Sequence, residues 1–122
     1  MLKKIAIVVC SMMITTISYA SGAKGNVRNG KEIVNRTNCA ACHGENLNHP
    51  IDSSYPKLAG QFADYTYYAL RAYQQGNNNK MFGRDNNIMR AQVQSLSDKD
   101  LRDIAAYIET IPNGLIQKHK KR

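Results

Sequence analysis

The chain has 122 residues and a mass of 13.7 kDa, with 17 Lys+Arg against 9 Asp+Glu and a formal charge of +8. Hydrophobic residues make up 43% and the mean hydropathy is −0.49, the balance of a folded, soluble chain. A multi-domain enzyme, a multi-span membrane protein and a disulfide-stapled scaffold, which three Cys cannot build, are all excluded.

The first twenty residues differ from the rest. Lys3 and Lys4 give a short basic start, Ile5 to Ile17 is mostly apolar, and Ser18-Tyr19-Ala20 places small residues at the first and third positions. This order predicts a secretory signal peptide over 1–20, cleaved after Ala20. The apolar run is shorter than the ~20 residues of a spanning helix. Cys10 lies inside that run and leaves with it. The remaining chain, 21–122, loses Lys3 and Lys4, so its charge falls from +8 to +6. Export places it outside the cytoplasm, in a bacterial periplasm. A domain of this size buries roughly 65% of its unfolded surface, so an internal cofactor would add needed core.

No internal repeat is visible. The expected class is all-α, three to four helices and long loops. The first helix runs from about Val27 to Thr37, with Gly30, Ile33 and Val34 at helical spacing. Gly costs about 1 kcal/mol against Ala inside a helix, so Gly30 suggests close approach of another element. The second helix runs from about Gln61 to Gln75. Its stripe is Tyr65, Ala69, Leu70 and Tyr73, and Gly76 stops it. The third begins at the N-cap Ser97, with Asp100 completing a box-like pair. Leu96 and Leu101 have staple spacing, and Leu101, Ile104, Ala105 and Ile108 form one apolar face. Pro112-Asn113-Gly114 ends it. Gly44–Tyr55 and Gly76–Asn87 read as loops, of a length that usually wraps something or carries function.

Cys39-Ala40-Ala41-Cys42-His43 is the C-x-x-C-H pattern of covalent haem attachment. Two Cys three apart fall on one face of a helical turn, so each thiol can add to one porphyrin vinyl group. His43 follows directly and can reach the iron from the anchored side. A redox dithiol wants a βαβ setting that is missing here. A structural zinc site needs four ligands, and only His49 and His119 remain to supply them.

The sixth iron position decides the function. A thioether is a soft ligand that raises the potential. After export only Met81 and Met89 remain, both between C-x-x-C-H and the last helix. Met89 is favoured. Met81 and His49 stay open as alternatives, as does an unfilled position.

These residues together resemble the class I bacterial cytochromes c, most like one half of a cytochrome c4 or a monohaem cytochrome of the c5 or c553 type. The resemblance covers about 27–111. It rests on C-x-x-C-H together with Tyr55-Pro56-Lys57-Leu58-Ala59-Gly60-Gln61 and Leu96-Ser97-Asp98. It implies that Cys39 and Cys42 carry the haem c thioethers and that His43 and Met89 are the axial ligands. It also implies that the Pro56 carbonyl accepts the hydrogen bond of the ligand His, and that Gly30 faces the Ala105–Ile108 region, with Tyr107 the aromatic there. Many cytochromes c4 carry a second Met where this chain has Gln92. A full cytochrome c4 has two haem domains, whereas one C-x-x-C-H stands here.

The implied function is one-electron transfer, not catalysis, with one haem c. The implied donor is a membrane quinol-oxidising complex or a dehydrogenase, and the acceptor a terminal oxidase or reductase. Alternatives are a haem c subunit of a multi-protein oxidoreductase and a haem-based gas sensor. With two ionised propionates the exported domain would carry about +4, which steers it to acidic surfaces. The basic tail from about 117 (Lys118, His119, Lys120, Lys121, Arg122) reads as a solvated end, with a partner or an anionic membrane surface as the sharper reading. The expected assembly is a monomer or weak dimer, and nucleic acid is not an expected partner.

Overall fold

The computed structural model describes residues 24–113. The expected signal peptide and the basic tail lie outside them. Five α-helices follow in order: α1 (Val27–Arg36), α2 (Ala40–His43), α3 (Ala63–Gln75), α4 (Asn87–Val93) and α5 (Asp98–Thr110). No strand occurs among the described residues. The all-α expectation and the three long helices are found, each within two residues of the expected ends.

Two short helices were not expected. The four-residue α2 carries the Cys–His turn. The other, α4, lies in the stretch before the last helix and holds Met89. Asn86 caps it, its side chain accepting the Met89 amide at 2.9 Å. Seven residues are too few for a 3.6-residue period to show in sequence, but the cap alone satisfies one orphan donor.

The core is the crossing of α1 and α5. Ile33 and Val34 meet Leu101, Ile104, Ala105 and Ile108, all buried. Each of the Val, Leu and Ile side chains contributes roughly 1.5–3 kcal/mol of apolar burial. Gly30 sets the crossing distance, because a Cβ there would stand 1.9 Å from the Asp103 carbonyl oxygen and 2.9 Å from Tyr107 Cβ. The close approach expected at Gly30 is therefore made to α5, beside Tyr107.

A buried carboxylate ties the same crossing. Asp103 is 2% exposed and accepts from the Asn26 amide at 2.7 Å, from Asn29 Nδ2 at 2.6 Å and from Lys99. Burial pushes its carboxyl up, but the bonds from Lys99, Asn26 and Asn29 outweigh burial and hold it below the usual carboxylate range. At its start, α5 has the full capping box, Ser97 accepting the Asp100 amide and Asp100 accepting the Ser97 amide.

The stripe expected on α3 is corrected in part. Leu70 is buried and Tyr73 packs on the core, but Tyr65 is 53% exposed and the buried aromatic is Tyr67. Tyr67 can be buried because its hydroxyl donates to Asp98 and accepts from Arg102 at 3.0 Å, whose guanidinium stacks 4.1 Å over its ring. With seven Tyr in the chain, four of them on α3, aromatic position alone does not reveal which one faces inward.

Two outcomes follow from the crossing. Gly30→Ala should lower stability by about 1–3 kcal/mol despite the better helix propensity of Ala, read from denaturant unfolding. Asp103→Asn places an amide donor against the donors of Asn29 and Lys99, and should cost roughly 1–3 kcal/mol at neutral pH. Because the folded carboxyl is depressed, its stabilisation is present above the unfolded value of about 3.9 and is lost as pH falls through the folded value. The variant should therefore show a flatter loss of stability below about pH 4 than the unaltered protein.

Candidate functional site

The site is built where α1 hands over to α2. Thr37 ends α1, its amide and hydroxyl both donating to the Ile33 carbonyl at 2.8 Å. Asn38 then adopts φ +52, a left-handed conformation that Asn tolerates. This reverses the chain at once into the Cys39–His43 turn, closed by the His43 amide on the Cys39 carbonyl at 3.0 Å.

Beyond His43 the chain folds back. Gly44 has φ +80, and a Cβ there would lie 1.6 Å from the His49 carbonyl oxygen, so only Gly allows the fold. Leu47 is held at φ +53, a conformation costing a non-Gly residue about 1–3 kcal/mol. Its carbonyl accepts the amides of Leu58 at 2.8 Å and Ala59 at 3.1 Å. The Pro56–Ala59 segment is thereby pinned beside α2.

The consequence is a single bond. His43 Nδ1 lies 2.8 Å from the Pro56 carbonyl oxygen. A carbonyl only accepts, so Nδ1 carries the proton, and in the neutral imidazole Nε2 is then the nitrogen with the free lone pair. His43 is buried, and Tyr55 meets its ring edge-on, centroids 6.3 Å apart. Such a bond fixes the ring and raises its basicity as a ligand.

Cys39, Cys42, His43 and Met89 all line one cleft of about 200 Å³. Its walls are apolar, with Leu58, Leu70, Val93, Leu96, Ile104 and Ile108 drawn from three helices and two loops. Three wider depressions, about 560, 550 and 510 Å³, hold none of Cys39, Cys42, His43 and Met89. The alternatives for the sixth position stand off the cleft: Met81 is 80% exposed, and His49 is exposed. Tyr55 and Thr37 line the cleft and were not read as site residues. Tyr55 belongs to the Tyr55–Gln61 motif, and that motif is the sequence signal that points to it.

The donor set fits a covalently held porphyrin. Two free thiols, an imidazole with a free nitrogen and a thioether share an apolar slot. Among the described residues no three His, Cys, Asp or Glu stand close enough to hold a bare metal ion. Burial pushes the Cys39 thiol up, more than the Thr37 hydroxyl 3.3 Å from its sulfur pulls it down. An exchange dithiol needs a lowered thiol, so this environment is wrong for one.

The chain matches the cytochrome c family over residues 27–112. It belongs to that family. Cytochrome c-554(548) of Halomonas halodenitrificans is 39% identical over 69 residues, 57% of this chain and 78% of that protein. Cytochrome c4 of Stutzerimonas stutzeri is 36% identical over 100 residues, 80% of this chain and 45% of that one. The crystal structure of reduced recombinant cytochrome c4 from Pseudomonas stutzeri superposes with a TM-score of 0.62 at 33% identity, covering 72% of this chain and 46% of that chain. This cytochrome thus spans under half the length of its cytochrome c4 relatives. It is an electron-carrier protein with covalently bound haem c.

A variant with both Cys39→Ala and Cys42→Ala should release all haem into acidified organic solvent, whereas the unaltered protein should keep it on the denatured chain.

Proposed function

We propose that this cytochrome is an exported one-electron carrier of the periplasm, with haem c on Cys39 and Cys42 and with His43 and Met89 as axial ligands. The bond from His43 Nδ1 to the Pro56 carbonyl carries the reading. It supports an imidazole that is held for ligation, since the partner fixes both tautomer and ring plane. Met89 lines the same cleft from α4, and the Asn86 cap holds its backbone there. When bound, haem supplies a one-electron couple whose potential the axial ligands tune.

The chain's own residues would do three things. The Cys39–His43 turn would anchor and orient the group. The Leu58, Leu70, Ile104 and Ile108 walls would keep water from it. His43 and Met89 would together leave no exchangeable position, which argues for a carrier rather than an enzyme or gas sensor. The signal peptide over 1–20 and the domain over 21–122 belong to the same proposal. Among the described residues no helix is long and apolar enough to cross a membrane.

The partners are redox proteins. One relative, 32% identical over 74 residues and matched over 32% of its length, is the thiosulfate dehydrogenase electron acceptor of Stutzerimonas stutzeri. A dehydrogenase or a quinol-oxidising complex as donor, and an oxidase or reductase as acceptor, fit a domain of charge +6 steered to acidic surfaces. A haem c subunit of a multi-protein oxidoreductase is the second reading, in line with the relative named as the electron acceptor of a dehydrogenase.

The visible spectrum decides the ligation. The oxidised protein should be low-spin with a ferric–thioether charge-transfer band, and the reduced protein should not shift with carbon monoxide. Met89→Ala should lose the band and gain carbon monoxide binding, while Met81→Ala should leave both unchanged. The reverse pattern would overturn the assignment.

A further inference from the structure

The side of α3 turned away from the cleft carries aromatic side chains that the haem site does not use. Tyr65, Tyr68 and Phe82 are each more than half exposed, and all three line the depression of about 560 Å³. No residue lines both this groove and the cleft. On a helix of 3.6 residues per turn, Tyr68 and Ala72 stand roughly opposite Leu70, which faces the cleft.

The loop after α3 holds the other wall in place. The Asn79 side chain accepts the amides of Met81 at 3.1 Å and Phe82 at 3.0 Å, and the Asn79 carbonyl accepts that of Gly83 at 2.7 Å. A Cβ at Gly83 would stand 1.9 Å from the Gly76 carbonyl oxygen, so the loop closes on its own start. The Arg84 amide donates to the Ala72 carbonyl at 2.9 Å, which ties the loop to α3. An apolar group held outward on a fixed backbone needs little ordering to bind, as an interface anchor requires.

Charge selects the occupant. The Arg84 guanidinium lies 5.7 and 5.5 Å from the ring centres of Tyr65 and Tyr73 and donates to the Tyr65 hydroxyl at 3.3 Å. Among the described residues it makes no ion pair, whereas Arg71 of the same groove pairs with Asp98 at 2.6 Å. No Asp or Glu lines the groove. A second copy seated groove to groove would set Arg84 against Arg84. The complement is a carboxylate with an aromatic neighbour.

We propose that this groove docks an acidic, aromatic-bearing segment of a partner protein, a carboxylate of the segment on Arg84 and its ring among Tyr65, Tyr68 and Phe82. The proposal rests on the reading of redox proteins as partners, and it gives such a partner a seat apart from the cleft.

The test uses the matured, full-length haem protein in its reduced state, isotopically labelled for NMR, and a synthetic peptide rich in Glu and Tyr. Titration at low salt should shift the Arg84 Nε–H and the amides of Tyr65, Tyr68 and Phe82 more than those of α1. A Lys- and Tyr-rich peptide of the same length should leave them in place. Arg84→Gln should weaken the acidic peptide about tenfold, the scale of a hydrogen bond between charged groups. Phe82→Ala should weaken it about fivefold or more. Because Phe82 is exposed, this variant tests the groove even where Arg84→Gln destabilises the fold. Shifts centred on the cleft, shifts scattered over the basic surface, or no shifts overturn the proposal. So does self-association, or binding to anionic lipid vesicles, that Phe82→Ala abolishes, since the occupant is then a second copy or a membrane. The carrier reading fails separately, on the visible spectrum. A protein with the expected spectrum and no shifts at the groove loses only this docking site.

Discussion

The rest of the structure hangs on the contact of two backbones at Gly30 and Asp103. Without a Cβ at Gly30, α1 lies against the α5 carbonyls closely enough that Ile33 and Val34 reach Leu101, Ile104 and Ile108. The Asp103 carboxylate then satisfies the free amide at the α1 start and the Asn29 side chain together. One point thus fixes separation, and another fixes the angular position of the α1 N-terminus. The other elements attach to this pair. The Gly60 amide donates to the Ile108 carbonyl at 2.9 Å, and Tyr67 of α3 reaches Asp98 and Arg102 of α5.

The site inherits its position from that crossing. Its attachment turn is the direct continuation of α1, and two of its walls, Ile104 and Ile108, are the α5 residues that face α1. The same side chains serve as core and as cleft lining. A small domain has little apolar surface to spare, so a group seated there completes the core as well as performing the chemistry. The backbone strain of the region is placed accordingly. Among the described residues three non-Gly residues have positive φ, Asn38, Asn46 and Leu47, and all three flank the Cys39–His43 turn. Such strain persists only where neighbours over-determine it, and here the Leu47 carbonyl holds two amides of the Pro56 segment.

The ligation proposed here would treat the two sides of the iron differently. The His43 side is rigid, with a short turn, a buried ring and a fixed acceptor in Pro56. The Met89 side is a seven-residue helix with one cap, packed on the core through Val93. A carrier needs little reorganisation at either side.

Much of this was legible in the sequence. C-x-x-C-H points to covalent haem because its spacing sets two thiols and an imidazole on one turn, and the Tyr55–Gln61 and Leu96–Asp98 stretches narrow that reading to one family. The long helices announced themselves through their caps and apolar faces, as Ser97 with Asp100 did for α5. Gly30 was recognisable as a contact because a helix rarely tolerates Gly without one. What the sequence could not decide were relations between distant residues. Tyr67 rather than Tyr65 is buried because Asp98 and Arg102, some thirty residues away, satisfy its hydroxyl. That Met89 lines the cleft while Met81 does not depends on α4, a helix too short to show a period. The Pro56 carbonyl meets His43 only because Gly44 and Leu47 fold the loop back. Local chemistry is written in neighbouring residues, but burial and alignment are set by which distant groups satisfy one another, and only the tertiary structure determines that.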